Sequence, residues 1–120
     1  MATKIKSTAH HIDASGKALG RIAAEAAKAL MGKTSPDYTP NILSDVKVTI
    51  VNAAKITTRE KKAVQTKFTR YTGYPGGLKI VSLQQLNEKK PGEALRRAIE
   101  RMMPRNTFRT ERMKNLTITQ

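Results

Sequence analysis

The sequence predicts an α/β layered domain in which at least part of the sheet is parallel. Strand-like and helical segments alternate along the 120 residues. The β-branched run Val46–Val51, bounded by Asp45 and Asn52, is typical of a central strand. Apolar residues recur at helical spacing across Leu19–Leu30. Strands separated by helices pair in parallel because the helix carries the chain back to the start of the sheet.

The first third of the chain predicts an arm, a strand and a helix. Residues 1–8 are polar and basic, so we expect a flexible N-terminal arm ahead of a single domain at 9–120. A strand at Ala9–Asp13 leads into the turn Ala14–Lys17. The helix that follows ends at Gly32, which occupies the position of a C-cap glycine.

The middle of the chain predicts shorter elements. Asn52 is placed to cap a short helix. The segment Thr57–Gln65 reads as a solvated basic loop. A strand is expected at Lys79–Ser82, followed by a short helix at Leu83–Asn87.

The last third predicts a second strong helix and a final strand. The helix opens at Pro91 and has one apolar and one basic side, and Pro104 ends it. Thr107–Lys114 is basic and helical in pattern, and the alternation in Leu116–Thr119 indicates a last strand.

Charge points to a polyanionic partner. The chain carries 23 basic and nine acidic side chains, a net charge of +14. Residues 1–54 hold seven basic and four acidic side chains, and residues 55–120 hold 16 and five, so a polyanion should meet the second half. The chain has no cysteine, no apolar run of membrane-spanning length and no signal-peptide core, and a cytosolic protein is expected.

The segment Lys67–Lys79, KFTRYTGYPGGLK, combines the features of an RNA contact. Its glycines allow positive φ or a close backbone approach, its cations can neutralise phosphates, and its tyrosines can stack on bases. The alternative interpretation is a Gly/Pro turn between two strands.

Catalytic, cofactor and metal sites are not predicted. Gly32-Lys33-Thr34 closes a helix, whereas a phosphate-binding loop opens one. Adjacent His10 and His11 point to opposite faces of a strand and cannot form a metal pair. The carboxylates are scattered. A nucleic-acid-processing enzyme, a free nucleic-acid-binding or regulatory protein, and a membrane-surface helix at Pro91–Met103 are the alternatives to a structural RNA-binding protein.

Five stretches together resemble one family. They are IDASGKALGRIAAEAAKALMGK, DYTP, IVNAAKI, KFTRYTGYPGGLK and Met103–Asn106, and their order and spacing hold from about Ile12 to Ile118. The chain is similar to the bacterial form of the thirteenth protein of the large ribosomal subunit. Two departures stand out. Tyr71 replaces a histidine, and Phe108-Arg109-Thr110 replaces leucine-glycine-arginine, so that Arg109 would supply the charge from a shifted position.

The resemblance implies a three-layer α/β/α fold with a mostly parallel four-stranded sheet. It also implies direct binding to large-subunit rRNA, an early role in assembly, neighbouring ribosomal proteins as partners, and neither a small-molecule substrate nor a membrane. The RNA-contacting residues expected from the charge pattern and the central segment are Arg59, Lys61, Lys62, Lys67, Arg70, Tyr71, Thr72, Gly73, Tyr74, Pro75, Gly76, Gly77, Lys79, Arg97, Arg101, Arg105 and Arg109. The resemblance adds Arg21, Lys33, Lys55 and Asn106.

Overall fold

Five strands and five helices make up the part of the chain that the computed structural model describes, residues 8–36 and 38–120. In chain order they are β1 (Thr8–Asp13), α1 (Leu19–Leu30), β2 (Val46–Val51), α2 (Glu60–Gln65), β3 (Lys67–Tyr71), β4 (Leu78–Ser82), α3 (Leu83–Lys89), α4 (Glu93–Met102), α5 (Phe108–Lys114) and β5 (Leu116–Ile118). A 3₁₀ turn, Ala53–Lys55, follows β2. Apart from Thr8, which begins β1, the predicted N-terminal arm lies outside the described residues.

A parallel sheet with the order β1-β2-β5 forms the centre of the fold. Ile12 lies opposite Ile50, and Ile50 lies opposite Ile118. The prediction that Val46–Val51 is a central strand is confirmed. Its β-branched residues suit this position because both of its edges are paired.

Only one face of this sheet is covered in the described part of the chain. Val46, Val48 and Ile50 are buried, whereas the alternate residues Lys47 and Val51 are exposed. α1 packs on the buried face, and α4 packs on α1 rather than on the opposite face. The expected three-layer arrangement, with helices on both faces, is therefore corrected to helices stacked on one side.

The expected fourth parallel strand is not found among the described residues. The described residues form three parallel strands, and β3 and β4 form a separate antiparallel hairpin. The six residues between β3 and β4 are too few for the crossover that parallel pairing requires, so the two strands can only pair antiparallel.

α1 forms and ends as its sequence predicts. Ile22, Ala23, Ala26 and Leu30 face the core, where the alanines allow close packing. Gly32 has φ +82° and donates its backbone N–H to Ala29 O, while the Lys33 N–H reaches Lys28 O. This pair of bonds is a Schellman motif, which satisfies carbonyls that the helix end would leave unpaired.

Two predictions for the middle of the chain are wrong. Asn52 has φ 58° and makes no cap to the turn after it, because its side chain bonds Asp13 instead. The segment Thr57–Gln65 contains the helix α2 and is not simply a loop.

α3 and α4 attach the hairpin to the body. Ser82 caps α3 through a reciprocal capping box with Gln85. Leu83 and Leu86 on α3 form a second apolar cluster with Ala94 on α4. The Cα atoms span 55 × 37 × 18 Å with a radius of gyration of 16.1 Å, against about 14 Å for a compact chain of this length.

Candidate nucleic-acid interface

The hairpin of β3 and β4 has two chemically different sides. Because side chains alternate along a strand, Phe68 and Arg70 share one side with their partners Val81 and Lys79. We call this the inner side, since Phe68 and Val81 pack against the Leu83–Leu86–Ala94 cluster. The opposite, outer side carries Lys67, Thr69 and Tyr71 of β3 and Leu78, Ile80 and Ser82 of β4.

Two arginines of α4 anchor the base of the hairpin. The guanidinium carbons of Arg97 and Arg101 lie 5.4 and 5.8 Å from the centre of the Phe68 ring. Arg97 also pairs with Glu93 at 3.3 Å. Each cation–π contact contributes roughly 0.5–1 kcal/mol at such exposed positions. The two arginines predicted to contact RNA therefore also hold the hairpin against α4.

Beyond this anchor, two cations face each other across the strands. Arg70 is the direct cross-strand partner of Lys79, and both are exposed. Directly opposed side chains lie with Cβ atoms about 4.5–5.5 Å apart, and like charges at that distance destabilise a sheet. Neither residue takes part in an ion pair within the described chain. The inner side thus presents a concentrated, unneutralised positive charge.

The turn at the tip needs its glycines for different reasons. Gly73 and Gly76 have φ +88° and +73°, and a Cβ at either position would have nothing within 4 Å. Gly77 has an ordinary φ, but a Cβ there would collide with the Thr72 hydroxyl and lie 2.9 Å from Tyr74 O. Backbone bonds join Thr72 to Gly77 in the same turn. Both interpretations of the segment are compatible: it is a Gly/Pro turn, and its tip, with Pro75 exposed and Tyr74 75% exposed, is accessible to a ligand.

A second group of cations lies on and before α2. An open depression of about 330 Å³ is lined by Arg59, Lys61, Lys62, Gln65 and Thr66. The Leu83 N–H donates to Thr66 O, which ties this element to the start of α3 beside β4. The structure therefore places the three predicted cations of this segment next to the hairpin.

The predicted residues after α4 are less free than their charge suggests. Arg109 pairs with Glu100 at 3.1 Å. The Asn106 side chain accepts the Arg109 N–H and caps the start of α5. Arg105 is exposed and takes part in no ion pair of the described residues. Of these three, only Arg105 has no structural contact that competes with RNA.

The residues added by the resemblance do not all lie together. Arg21 is exposed in the first turn of α1, close to Leu19, which packs against the same apolar cluster as Phe68. Lys55 joins the same end of the domain, because its carbonyl accepts the Gly16 N–H ahead of α1. Lys33 lies past the other end of α1, roughly 18 Å from Arg21 at 1.5 Å per helical residue.

Asp13 links the ends of β1 and β2 beside this surface. Its Oδ1 accepts the Asn52 side-chain amide and the Ser15 N–H, each at 3.0 Å. These two bonds, followed by the charges of Lys17 and Lys55, lower the pKa of Asp13 below its usual 3.8. Both bonds are accepted by the same oxygen, and the bond from Asn52 joins the ends of the two strands. We therefore assign Asp13 a structural role.

Sequence reasoning did not single out Arg112, whose setting is unusual among the basic residues. It is the one buried charged side chain of the described residues. The Phe108–Arg112 spacing of four on a helix is the signal that could have found it, since such residues lie on the same helical face.

Neither a metal centre nor a membrane span emerges from the described residues. Across 8–36 and 38–120, no three His, Asp or Glu side chains converge as metal ligands would. No helix in these ranges has the length and apolar character needed to cross a bilayer. Fold and surface define a small, strongly basic α/β protein with a cationic hairpin anchored on its helices.

Comparison with known proteins identifies the family. The model of the family described as Ribosomal protein L13 matches residues 7–119. The large ribosomal subunit protein uL13 of Rubrobacter xylanophilus is 44% identical over 107 residues, which cover 89% of this chain and 75% of the relative. The proteins of the same name from Pelotomaculum thermopropionicum and Thermotoga maritima are 41% and 42% identical over 107 residues, covering 89% of this chain and 74% and 72% of theirs. The chain belongs to the ribosomal protein L13 family, whose members are structural constituents rather than enzymes.

Proposed function

We propose that this protein is a structural constituent of the large ribosomal subunit in the cytoplasm, binds large-subunit rRNA directly and supports early assembly. The observation that carries the proposal is the opposed pair Arg70 and Lys79 on an anchored hairpin. A pair of like charges destabilises the free hairpin and becomes favourable when a phosphate lies between them. Family membership supplies the ribosomal context.

The hairpin tip would add shape recognition to this charge. Tyr74 can stack on an unpaired base, and Gly76 leaves space for the RNA backbone to approach. The depression lined by Arg59, Lys61 and Lys62 extends the cationic surface along α2. Phosphate contacts of this kind supply affinity and orientation but carry no sequence information.

The outer side of the hairpin is suited to a neighbouring protein. Tyr71, Leu78 and Ile80 are 64%, 57% and 53% exposed, and together they form an apolar strip. The aliphatic side chains of Leu78 and Ile80 neither neutralise phosphates nor stack on bases, so we assign these two residues to contact with an apolar surface of another large-subunit protein, whereas Tyr71 remains a predicted RNA contact.

Sedimentation of a native lysate tests the ribosomal assignment. The protein should travel with large subunits and intact ribosomes at moderate salt. Its recovery only at the top of the gradient would contradict the ribosomal assignment and favour a free nucleic-acid-binding or regulatory protein.

Binding to a large-subunit rRNA fragment tests the role of the hairpin. Replacing Lys67, Arg70 and Lys79 by alanine should weaken binding to any RNA and reduce the log–log salt slope by about 0.7–0.9 for each phosphate that is no longer neutralised. Gly76→Asn, which tolerates positive φ, should instead reduce the preference for the cognate fragment. Gly16→Asn, at a glycine outside the hairpin that has φ +71° and free space around an added Cβ, is the matched control for the substitution itself. Unchanged binding by both the triple variant and Gly76→Asn would show that the hairpin is not the interface.

A further inference from the structure

Arg112 is a buried residue whose guanidinium has no anionic partner among the described residues. Its side chain is only 3% exposed, and its Nε is buried with no hydrogen-bond acceptor in the described chain. The Phe108 ring lies beside it, with its centre 5.6 Å from the guanidinium carbon. Nε is the only side-chain nitrogen of Arg112 that is both buried and without a partner. The two Nη atoms make no bond to the described residues either. Since they are not among the buried, unpartnered atoms, they keep some contact with solvent.

The carboxylates around α5 are already used by other cations. Glu111, adjacent in sequence, pairs with Lys114 at 3.1 Å. Glu100 on α4 pairs with Arg109 at 3.1 Å. Within the described residues, Arg112 therefore has an aromatic ring but no anion.

Such a setting is costly for the free protein. A guanidinium keeps its charge in proteins, and its burial loses hydration that only an anion with good hydrogen-bond geometry restores. The Phe108 ring offsets part of the lost hydration energy and fixes the orientation of the planar guanidinium group. A side chain held in this way has little rotamer freedom left to lose when a ligand binds.

We propose that Arg112 is an anion-binding residue that takes a phosphate group through its Nη edge. The assignment of this phosphate to RNA rests on the proposed function. Free inorganic phosphate shares the same chemistry and is the second possible source. The site would add an RNA contact on α5, beyond the hairpin and its surrounding cations.

Arg112→Met tests the proposal because methionine fills similar volume without charge. The free variant should be more stable than wild type, with a thermal midpoint higher by roughly 4 °C, since an unpaired buried cation is replaced by an apolar group. Its affinity for the rRNA fragment should fall by roughly tenfold, the effect of removing one charge-assisted hydrogen bond. The salt slope should fall by about 0.7–0.9.

Two variants and one anion serve as controls. Arg112→Lys keeps the positive charge and should retain the wild-type salt dependence of RNA binding. Lys114→Met, on the same helix, removes a cation that is already paired with Glu111 and should change RNA affinity less. Inorganic phosphate is compared with chloride at equal ionic strength. If phosphate raises the midpoint of wild type more than that of Arg112→Met, the site accepts any phosphate. An equal rise, together with weakened RNA binding, assigns it to RNA alone.

The outcomes separate this inference from the proposed function. If wild type binds the fragment and Arg112→Met binds it equally well with the same slope, Arg112 does not bind a phosphate of the RNA. A destabilised Arg112→Met with unchanged RNA binding also overturns the proposal and leaves a packing role. If wild type itself fails to bind the fragment, the proposed function fails, and the phosphate comparison still decides whether Arg112 binds an anion.

Discussion

Single residues around the end of β1 show how local chemistry sets backbone geometry. Asn52 occupies the left-handed region at φ 58°, which asparagine tolerates better than most residues. Its side chain reaches across to Asp13, and the Ser15 N–H completes the contact. The same side chain that could have capped a helix thus joins two parallel strands.

The Asp13 contact predicts a pH-dependent contribution to stability. Because the folded-state pKa of Asp13 is lowered, its contribution is complete above the unfolded pKa, near 3.8, and is lost as pH falls through the lower folded pKa. Asp13→Ala should therefore reduce the free energy of unfolding at pH 7 and have a smaller effect near pH 2. Urea denaturation at both values measures this difference. Asn52→Gly keeps positive φ but removes the hydrogen bond, and it should weaken the pH dependence of the wild-type carboxylate. If Asp13→Ala reduces the free energy of unfolding equally at both pH values, the stabilisation does not come from the ionised carboxylate.

At the scale of elements, the hairpin is anchored by packing at its base and carries two opposed positive charges nearer its tip. Phe68 ties its base to α4 through two arginines, and the Ser82 capping box fixes the start of the helix after β4. Arg70 and Lys79 then oppose each other further out. Packing at the base allows a repulsive pair to persist near the tip.

Lys79→Glu separates stability from binding. It converts the opposed cations into an opposite-charge cross-strand pair and should stabilise the free protein by about 0.5–1 kcal/mol. RNA affinity should fall because one phosphate is left without its cation and a repulsive carboxylate is added. Thermal unfolding and filter binding measure the two effects. Lys89→Glu, an exposed charge reversal in the last turn of α3, is the control for net charge alone. Similar RNA affinities for the two variants would argue against a special role for the opposed pair.

The chain as a whole is strongly basic, and the part that the structure describes is thin and open on one sheet face. Its smallest dimension is 18 Å, and its net charge is +14. Arg59, Lys61 and Lys62 line one depression beside the hairpin, whereas the three ion pairs of the described residues are all on α4 and α5. Self-repulsion is therefore a property of the molecule as a whole and should respond to salt.

Salt should have opposite effects on stability and on RNA binding. Raising sodium chloride from about 50 to 200 mM screens self-repulsion and should raise the thermal midpoint of the free protein. Over the same range, affinity for the rRNA fragment should fall by about 10³-fold if some six phosphates are contacted. Scanning calorimetry and binding isotherms test both effects. A midpoint that falls with salt would indicate that attractive ion pairs dominate the free state.

Local sequence pattern determined α1, β2 and the two helix ends at Gly32 and Pro104, because spacing, branching and backbone preference act within a few residues. It also determined the basic character of the second half and the resemblance to the family. The candidate hairpin segment is recognisable from its glycines and cations alone, without knowledge of how its strands pair.

Tertiary structure alone decided which predicted cations are free. Arg109 is held in an ion pair with Glu100, and Arg112 is buried. Arg97 and Arg101 make cation–π contacts with Phe68 and so have a structural role. The uncovered sheet face was likewise invisible in the pattern. Each of these features depends on contacts between residues distant in sequence, and one residue type can serve as ligand, anchor or ion-pair partner according to what packing brings beside it.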